Sequence, residues 1–335
     1  MRASVIVLAH GPEPTLAECV RALLAGGGPD EVLVVDNAAA RGPVQEVRGL
    51  PGVLVLDPGR NLGYAGGCNY GAAHASGDVL VFVNSDAIVT PGAVQVLADR
   101  ALEPAVGLVS ASVYLAQDPS RINAAANPVH FLMFSWAGGF GESADPAAAP
   151  VDTASITGVA FAVRRSVWDE LGGFDEAYFA YCEDVYLSIR AWQAGYRVLS
   201  EPAAVVLHHY EFSRNASKHY LLERNRLMNL LLLPEARTRR LVGPAALLVE
   251  LGVLVAAVRD GWAADKVAGW RWLYRHRAGL AARRHEIQAA RRIPDRDLAL
   301  LFRGRLDPPE GLGPTVPSIV SSFLDRYWRG VRRWV

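Results

Sequence analysis

Val79-Leu80-Val81-Phe82-Val83 is an unbroken apolar run that stops abruptly on Asn84-Ser85-Asp86. An apolar run without alternation fits a strand covered on both faces. The polar stop is where an open α/β sheet builds its site, beyond the carboxyl ends of its strands. Further strand-like runs lie at 3–9, 31–36, 53–56 and 106–110, with helix-like segments near 14–25, 65–75 and 91–101. Thr90 followed by Pro91 is a natural helix start. Alternation of this kind predicts an α/β chain with a mainly parallel sheet and helices on both faces.

The chain has 335 residues, enough for one large domain and an appendage. Its formal charge of zero argues against a nucleic-acid partner. The charge is uneven, however. From Arg259 onward 16 Arg or Lys face 8 Asp or Glu, so the earlier part is acidic on balance. A basic tail suits an anionic surface. Three cysteines, Cys19, Cys68 and Cys182, show no metal-binding spacing and fit a reducing cytosol. Met1-Arg2-Ala3-Ser4 runs straight into a strand-length apolar segment, so no signal peptide is expected.

Five polar clusters punctuate this framework: Asp36-Asn37, Asn61-Leu62-Gly63-Tyr64-Ala65-Gly66-Gly67, Asn84-Ser85-Asp86, Glu183-Asp184 and His208-His209. Glu183 and Asp184 open an apolar-periodic run over 183–194 that ends at Gly195. Alone they read as helix-capping acids, and the company of the other clusters makes them site candidates. Asp36 is a turn-starting residue or a hydrogen-bond acceptor at a strand end. The glycine stretch is a tight turn or a phosphate-lining loop at a helix N-terminus. Asp86, taken alone, is a helix-capping residue after a strand end. Successive strand residues face opposite ways, so only one of His208 and His209 can point at a site.

Residues 111–150, rich in Ala, Gly and Pro, read as a loop region. Strands are expected over 153–164, 196–199 and 203–207, with helical turns at 166–171 and a turn at 172–176. Everything from Ser217 reads as helical. The apolar run 241–258, broken by Pro244 and Glu250, fits a marginal membrane span, an interfacial helix, or a dimer or core helix. Trp262, Trp270, Trp272 and Tyr274 alternate with Arg271, Arg275 and Arg277, as in a headgroup layer. After Pro317-Ser318, a final stripe carries Ile319, Val320, Phe323, Leu324, Tyr327, Trp328, Val331, Trp334 and Val335, with Arg326, Arg329, Arg332 and Arg333 mostly opposite. This is an interfacial anchor or a stripe docked on the protein itself.

In their order and spacing, these motifs resemble glycosyltransferase family 2, with the GT-A fold, and within it the bacterial rhamnosyltransferase-like members that build cell-surface glycans. The resemblance covers about residues 3–230. It implies a GT-A nucleotide-sugar-binding and catalytic domain over 1–215, followed by a helical membrane-association or oligomerisation region over 216–335. It implies donor-side roles for Ala9, Asp36, Asn61, Gly63, Gly66, Gly67, Asn69, Asn84, Asp86 and Arg224. Thr157 and Gly158 fall on the acceptor side. Asp86 and His208 stand at the positions of metal ligands for Mg²⁺ or Mn²⁺, Asp184 at that of the general base, and Glu183 beside it. Four places depart from the family pattern: Ala9-His10-Gly11 on the first strand, Cys68 where Asn is usual, Asn84 for the first acid of Asp-x-Asp, and Tyr186 for a second acid.

The resemblance therefore implies an inverting, metal-dependent glycosyltransferase at the inner face of a bacterial plasma membrane. Its donor is a nucleoside-diphosphate sugar, dTDP-rhamnose first and UDP-hexoses or galactofuranose behind it. Its acceptor is a lipid-linked or growing glycan. An anionic membrane surface is an expected partner, and a homodimer through 241–280 a candidate one. The departures at Cys68, Asn84 and Tyr186 keep a non-catalytic nucleotide-sugar-binding subunit as the alternative.

Overall fold

The computed structural model of the chain describes residues 2–27, 29–209, 218–309 and 316–335. The chain runs through β1 (Ala3–Gly11), α1 (Leu16–Ala25), β2 (Glu31–Ala39), α2 (Arg41–Arg48), β3 (Val53–Leu56) and α3 (Gly63–His74). There follow β4 (Val79–Asn84), β5 (Ala87–Val89), α4 (Ala93–Ala101), β6 (Val106–Leu115), β7 (Asp118–Ala124), β8 (Val129–His130) and β9 (Val151–Asp152). Next come β10 (Ala160–Arg164), α5 (Arg165–Leu171), α6 (Glu183–Gln193) and β11 (Arg197–His208). The remainder comprises α7 (Lys218–Leu232), α8 (Ala236–Arg259), α9 (Ala263–Arg275), α10 (Arg277–Ala290), α11 (Asp295–Leu298), β12 (Phe302–Arg303) and α12 (Ser318–Val331).

Two compact units result. The first gathers residues 1–127, 137–191 and 196–211, and the second 128–136, 192–195 and 212–335. The expected domain boundary at 215/216 and the helix start at Ser217 lie outside the described residues.

In the first unit the sheet order is β3-β2-β1-β4-β10-β6-β11-β5, with β7 on β6 and β9 on β11. Parallel pairing joins β3, β2, β1 and β4, and also β6 and β11. The chain steps from β1 outward to β2 and β3, then returns to place β4 on the other side of β1. That reversal opens a crevice at the strand ends. The apolar runs are buried as their lack of alternation predicts: Val5, Val7, Val32, Val34, Val79 and Val81 are all 1% exposed or less.

Three sequence expectations need correction here. Residues 111–124 do not loop. β6 continues to Leu115 and β7 returns along it, because Val113 and Tyr114 pair with Ala124 and Ile122. Only 160–164 of the expected 153–164 strand is regular, antiparallel to β4 and β6. The strands expected at 196–199 and 203–207 are one strand, β11. Its pairing to β6 shifts register between Glu201 and Val205, so Pro202 falls within a bulge.

The second unit is mostly helical, with β8 and β12 paired as a short ribbon. Its centre is a buried charge cluster. Arg226 on α7 pairs with Glu223 at 2.9 Å and also with Glu250 on α8. Lys266 on α9 pairs with Glu250 at 2.8 Å and also with Glu223. Burial pushes both carboxyls up, but Arg226 and Lys266 outweigh it and hold them below their ordinary range. Glu250 also accepts the indole N–H of Trp270. The apolar run at 241–258 is therefore the middle of α8, with its acid turned inward.

The other tryptophans of the aromatic-basic stretch are also engaged within this unit. Trp262 stacks on His219, and Trp272 stacks on His276 and receives the Arg224 guanidinium. The α12 stripe divides. Leu324 and Trp328 are buried, with Trp328 stacked on Phe131, whereas Ile319 and Phe323 stay exposed.

Breaking the charge cluster leaves a buried carboxylate without its full complement of cations. Lys266→Met is expected to lower unfolding free energy by about 3–5 kcal/mol. Urea denaturation followed by circular dichroism measures this.

Candidate active site

Strand register brings the candidate residues of the first unit to one edge of the sheet. Ala9, near the end of β1, lies opposite Asp36 on β2. Leu8 lies opposite Asn84, the last residue of β4. Beyond Asn84 the chain turns through Asp86 into β5, where Ala87 pairs with His208.

Asp36 accepts the Ala39 amide at 3.0 Å, a turn contact that uses one carboxylate oxygen. Its neighbour Asn37 is buried and holds the glycine turn in place. The Asn37 amide group donates to Asn61 Oδ1 and to the Gly63 carbonyl, both at 3.1 Å, and its oxygen accepts the Leu62 N–H at 2.7 Å.

Two glycines of that turn meet protein, not open space. Gly63 has φ +72°, and a Cβ there would lie 2.4 Å from the Phe179 carbonyl oxygen. A Cβ at Gly67 would lie 2.3 Å from Leu8 Cδ1, so α3 sits tight on β1. Gly66 is buried behind Leu62 in the same turn. Asn69 is engaged by the Phe174 backbone, donating to its carbonyl at 2.8 Å and accepting its N–H at 3.0 Å. Cys68 is buried beside Tyr64, and burial pushes its thiol up, out of reach of ionisation.

The acid pair opens α6. Just before it, Phe179, Tyr181 and Cys182 all have positive φ, between 64° and 71°. Left-handed backbone at non-glycine residues costs about 1–3 kcal/mol each and is held by its surroundings. Part of that hold is visible: the Phe179 carbonyl accepts the Ala65 N–H at 3.1 Å. The glycine turn and the acid segment thus brace each other.

Glu183 is 6% exposed, and its Oε2 has no hydrogen-bond partner among the described residues. Asp184 accepts the Val185 N–H at 2.8 Å. Burial raises both carboxyl pKa values, and the adjacent Asp184 charge raises Glu183 further. Two neighbouring carboxyls in such a setting share protons as a pair.

Asp184 faces Gly158. A Cβ built on Gly158 would lie 4.0 Å from Asp184 Cβ and 3.7 Å from the Tyr64 hydroxyl. That hydroxyl donates to the Gly158 carbonyl at 2.6 Å. Thr157 is buried next to it and accepts the Val159 N–H at 3.4 Å. Ser188, one turn into α6, accepts the Ile156 N–H and so fastens the helix to this strand approach. The Val159 carbonyl in turn accepts the Asn84 N–H at 2.8 Å. The strand approach that Asp184 faces is thus bonded to the last residue of β4.

His208 Nε2 lies 3.2 Å from Asp86 Oδ1. Its Nδ1 donates to Asn123 Oδ1 on β7 at 2.8 Å. That donation leaves Nε2 as the nitrogen turned to Asp86, the arrangement that outer partners impose on metal-binding imidazoles. His209 is exposed and donates its backbone N–H to the Asp86 carbonyl.

Among the described residues no cluster of three or more His, Cys, Asp or Glu could hold a metal ion. The Asp86 carboxylate fits Mg²⁺ or Mn²⁺ when ligand oxygens and water complete the shell, and the His208 imidazole is acceptable to Mn²⁺. Asn123 was not legible as a site residue, because it falls in the stretch that reads as a loop.

Other candidates have structural surroundings. Arg224 lies in the second unit, over Tyr220 and Trp272, and donates to Asn225 Oδ1 at 2.8 Å. Tyr186, which replaces a family acid, is buried against Tyr178, and its hydroxyl accepts from Arg190. Its side chain serves packing.

A family profile described as Glycosyl transferase family 2 matches residues 4–172. The chain is 32% identical over 244 residues to the N-acetylglucosaminyl-diphospho-decaprenol L-rhamnosyltransferase of Mycobacterium tuberculosis, spanning 64% of this chain and 79% of that one. Its fold is similar to the mannosyltransferase PcManGT of Pyrobaculum calidifontis, solved with GDP-Man and Mn²⁺ (TM-score 0.52, 20% identity, 86% of this chain and 85% of that one). It is also similar to residues 1–349 of TarS from S. aureus, solved with UDP (TM-score 0.53, 15% identity, 99% and 90%). At these identities the solved structures speak for the fold alone.

The His208–Asp86 contact generates a binding test. In calorimetric titration of Mn²⁺ in the presence of a nucleoside diphosphate, Asp86→Ala is expected to abolish binding. Asn123→Ala, which frees the imidazole to turn, should weaken it by about 10–100-fold.

Proposed function

Because this chain belongs to glycosyl transferase family 2 and is similar to its rhamnosyltransferases, we propose that it moves a sugar, with inversion, from a nucleoside diphosphate to a lipid-linked glycan. dTDP-rhamnose is the first donor to test, and a growing cell-surface glycan on a polyprenyl diphosphate the first acceptor. The relative's name specifies an acceptor of that class and an L-rhamnosyl transfer. The proposed setting is the cytoplasmic face of a bacterial plasma membrane.

The observation that carries this reading is the Val159–Asn84 hydrogen bond, which joins the Asp184 side of the crevice to the Asp86–His208 side. A single displacement needs that polarity: a proton acceptor on one flank and a diphosphate site on the other. In the proposed reaction the acceptor hydroxyl stands by Asp184, near Gly158. Asp184 takes its proton as the oxygen bonds to the anomeric carbon, and the bond from that carbon to the diphosphate oxygen breaks. The nucleoside diphosphate leaves with the electron pair. When bound, a divalent cation supplies positive charge that offsets the charge growing on the leaving group.

Burial of its own carboxyl keeps Asp184 more basic than in water, which improves it as a base. Glu183, pushed higher still by burial and by the Asp184 charge, stays beside it as a neighbouring acid. Asp36 and the Asn61–Gly67 turn line the donor end, with Ala9 and Asn84 beside them. Asn37 fixes the turn without needing to touch the donor.

Asp184→Asn is expected to reduce transfer by at least about 10²-fold while donor affinity stays within about twofold. Turnover and calorimetry on the same preparation measure both. Donor consumption by the unaltered protein also separates this reading from a non-catalytic sugar-nucleotide-binding subunit.

The raised carboxyl pKa predicts a pH profile. Asp184 must be unprotonated, so kcat/KM should fall as pH drops through a value above the ordinary aspartate range of about 4. Because burial of Asp184 itself is what raises it, and Glu183 is raised further, Glu183→Gln should leave that limb above the ordinary range. Initial rates across pH with a buffer of constant ionic strength give the result.

A further inference from the structure

Helix α8 carries its apolar residues on two opposite sides. Val242, Ala245, Val249 and Ala257 are buried in the second unit. Leu247, Leu248, Leu251, Val255 and Val258 are 54–70% exposed and recur at helical spacing. The outward stripe from Pro244 to Val258 is about 21 Å long. Soluble surfaces rarely carry so many contiguous large apolar groups without a partner.

The helix packed beside it repeats the feature. On α12, whose Tyr327 hydroxyl donates to the Leu241 carbonyl at 2.6 Å, Ile319, Val320 and Phe323 are exposed. Exposed arginines accompany both helices: Arg237 and Arg240 at the start of α8, and Arg326 and Arg333 on and just after α12. None of these four is ion-paired to an acid among the described residues. Asp260 and Asp325 are paired to Arg259 and Arg329. The one acid inside the apolar run, Glu250, is turned away into the charge cluster.

We propose that the outward face of α8, with the exposed side of α12, lies in the headgroup layer of an anionic lipid bilayer and does not cross it. This deepens, and rests on, the reading of an enzyme that works at a membrane surface. Crossing is disfavoured because the inner half of α8 is locked to Arg226 and Lys266. A span would carry those charges into hydrocarbon. An apolar stripe with arginines at its margins suits interfacial seating, in which side chains sink to the acyl boundary and guanidinium groups meet phosphates. A second copy of this chain matches less well, because the described acids nearest these faces, Asp260 and Asp325, are already paired to Arg259 and Arg329.

The test uses the full-length protein with sedimenting vesicles of phosphatidylcholine alone or mixed with phosphatidylglycerol. Binding is expected only with the anionic vesicles, and added salt should weaken it. Leu251→Glu and Val255→Glu should each reduce it by about tenfold or more. Arg326→Gln with Arg333→Gln should flatten the salt dependence. Vesicle binding left intact by both glutamate variants would overturn the proposal. So would absence of vesicle binding together with a dimer in analytical ultracentrifugation that Leu251→Glu splits. Donor turnover on a soluble acceptor is measured in parallel. Its absence in the unaltered protein counts against glycosyl transfer, whereas the vesicle result alone decides the lipid face.

Discussion

One antiparallel insertion organises the first unit of this protein. β10 enters the sheet between β4 and β6, and the Val159 carbonyl just before it receives the Asn84 N–H. Without that strand, the end of β4 would lack a neighbour on its outer side. With it, the Thr157–Gly158 approach is held against the end of β4, and α6 is tied to the approach through Ser188. The two carboxyls that begin α6 are thereby held beside the Thr157–Gly158 approach, which is itself bonded to the end of β4. The fold supplies the geometry through main-chain bonds, which do not depend on which donor or acceptor is used.

The conformational cost of this arrangement is concentrated in a few residues. Phe179, Tyr181 and Cys182 hold left-handed backbone, and Glu183 keeps an unsatisfied buried oxygen. Such features lower stability, and they recur where a site must be ready before its ligand arrives. The Phe179 carbonyl shows how the strain is contained. It presses on Gly63, where only hydrogen fits, and takes the Ala65 N–H. A glycine that reads as a phosphate contact is thus also the space that lets the acid-bearing segment come close.

Much of this was legible in the chain because parallel strands announce themselves. Val79–Val83 and Val32–Val35 have no alternation, and their polar stops mark the site edge. Helix α6 and its acids were readable from spacing. What was not legible depended on partners far away in sequence. Asn123 looks like any loop asparagine until β7 folds back on β6 and meets His208. Glu250 looks like a flaw in an apolar helix until Arg226 and Lys266 arrive from two other helices. Residues 128–136 look like part of the first unit but cluster with the second. Local pattern reports on burial, and it does not report on which charge a buried acid will find.

The four-charge knot of Glu223, Arg226, Glu250 and Lys266 sums to zero and is largely shielded from water, its cations buried and its carboxylates only 13–14% exposed. Mobile ions screen charges they can approach, so ionic strength has little grip on it. The arginines outside are in the opposite condition. On the proposed lipid face, a rise in salt is therefore expected to loosen adhesion while leaving the helical region's own architecture whole.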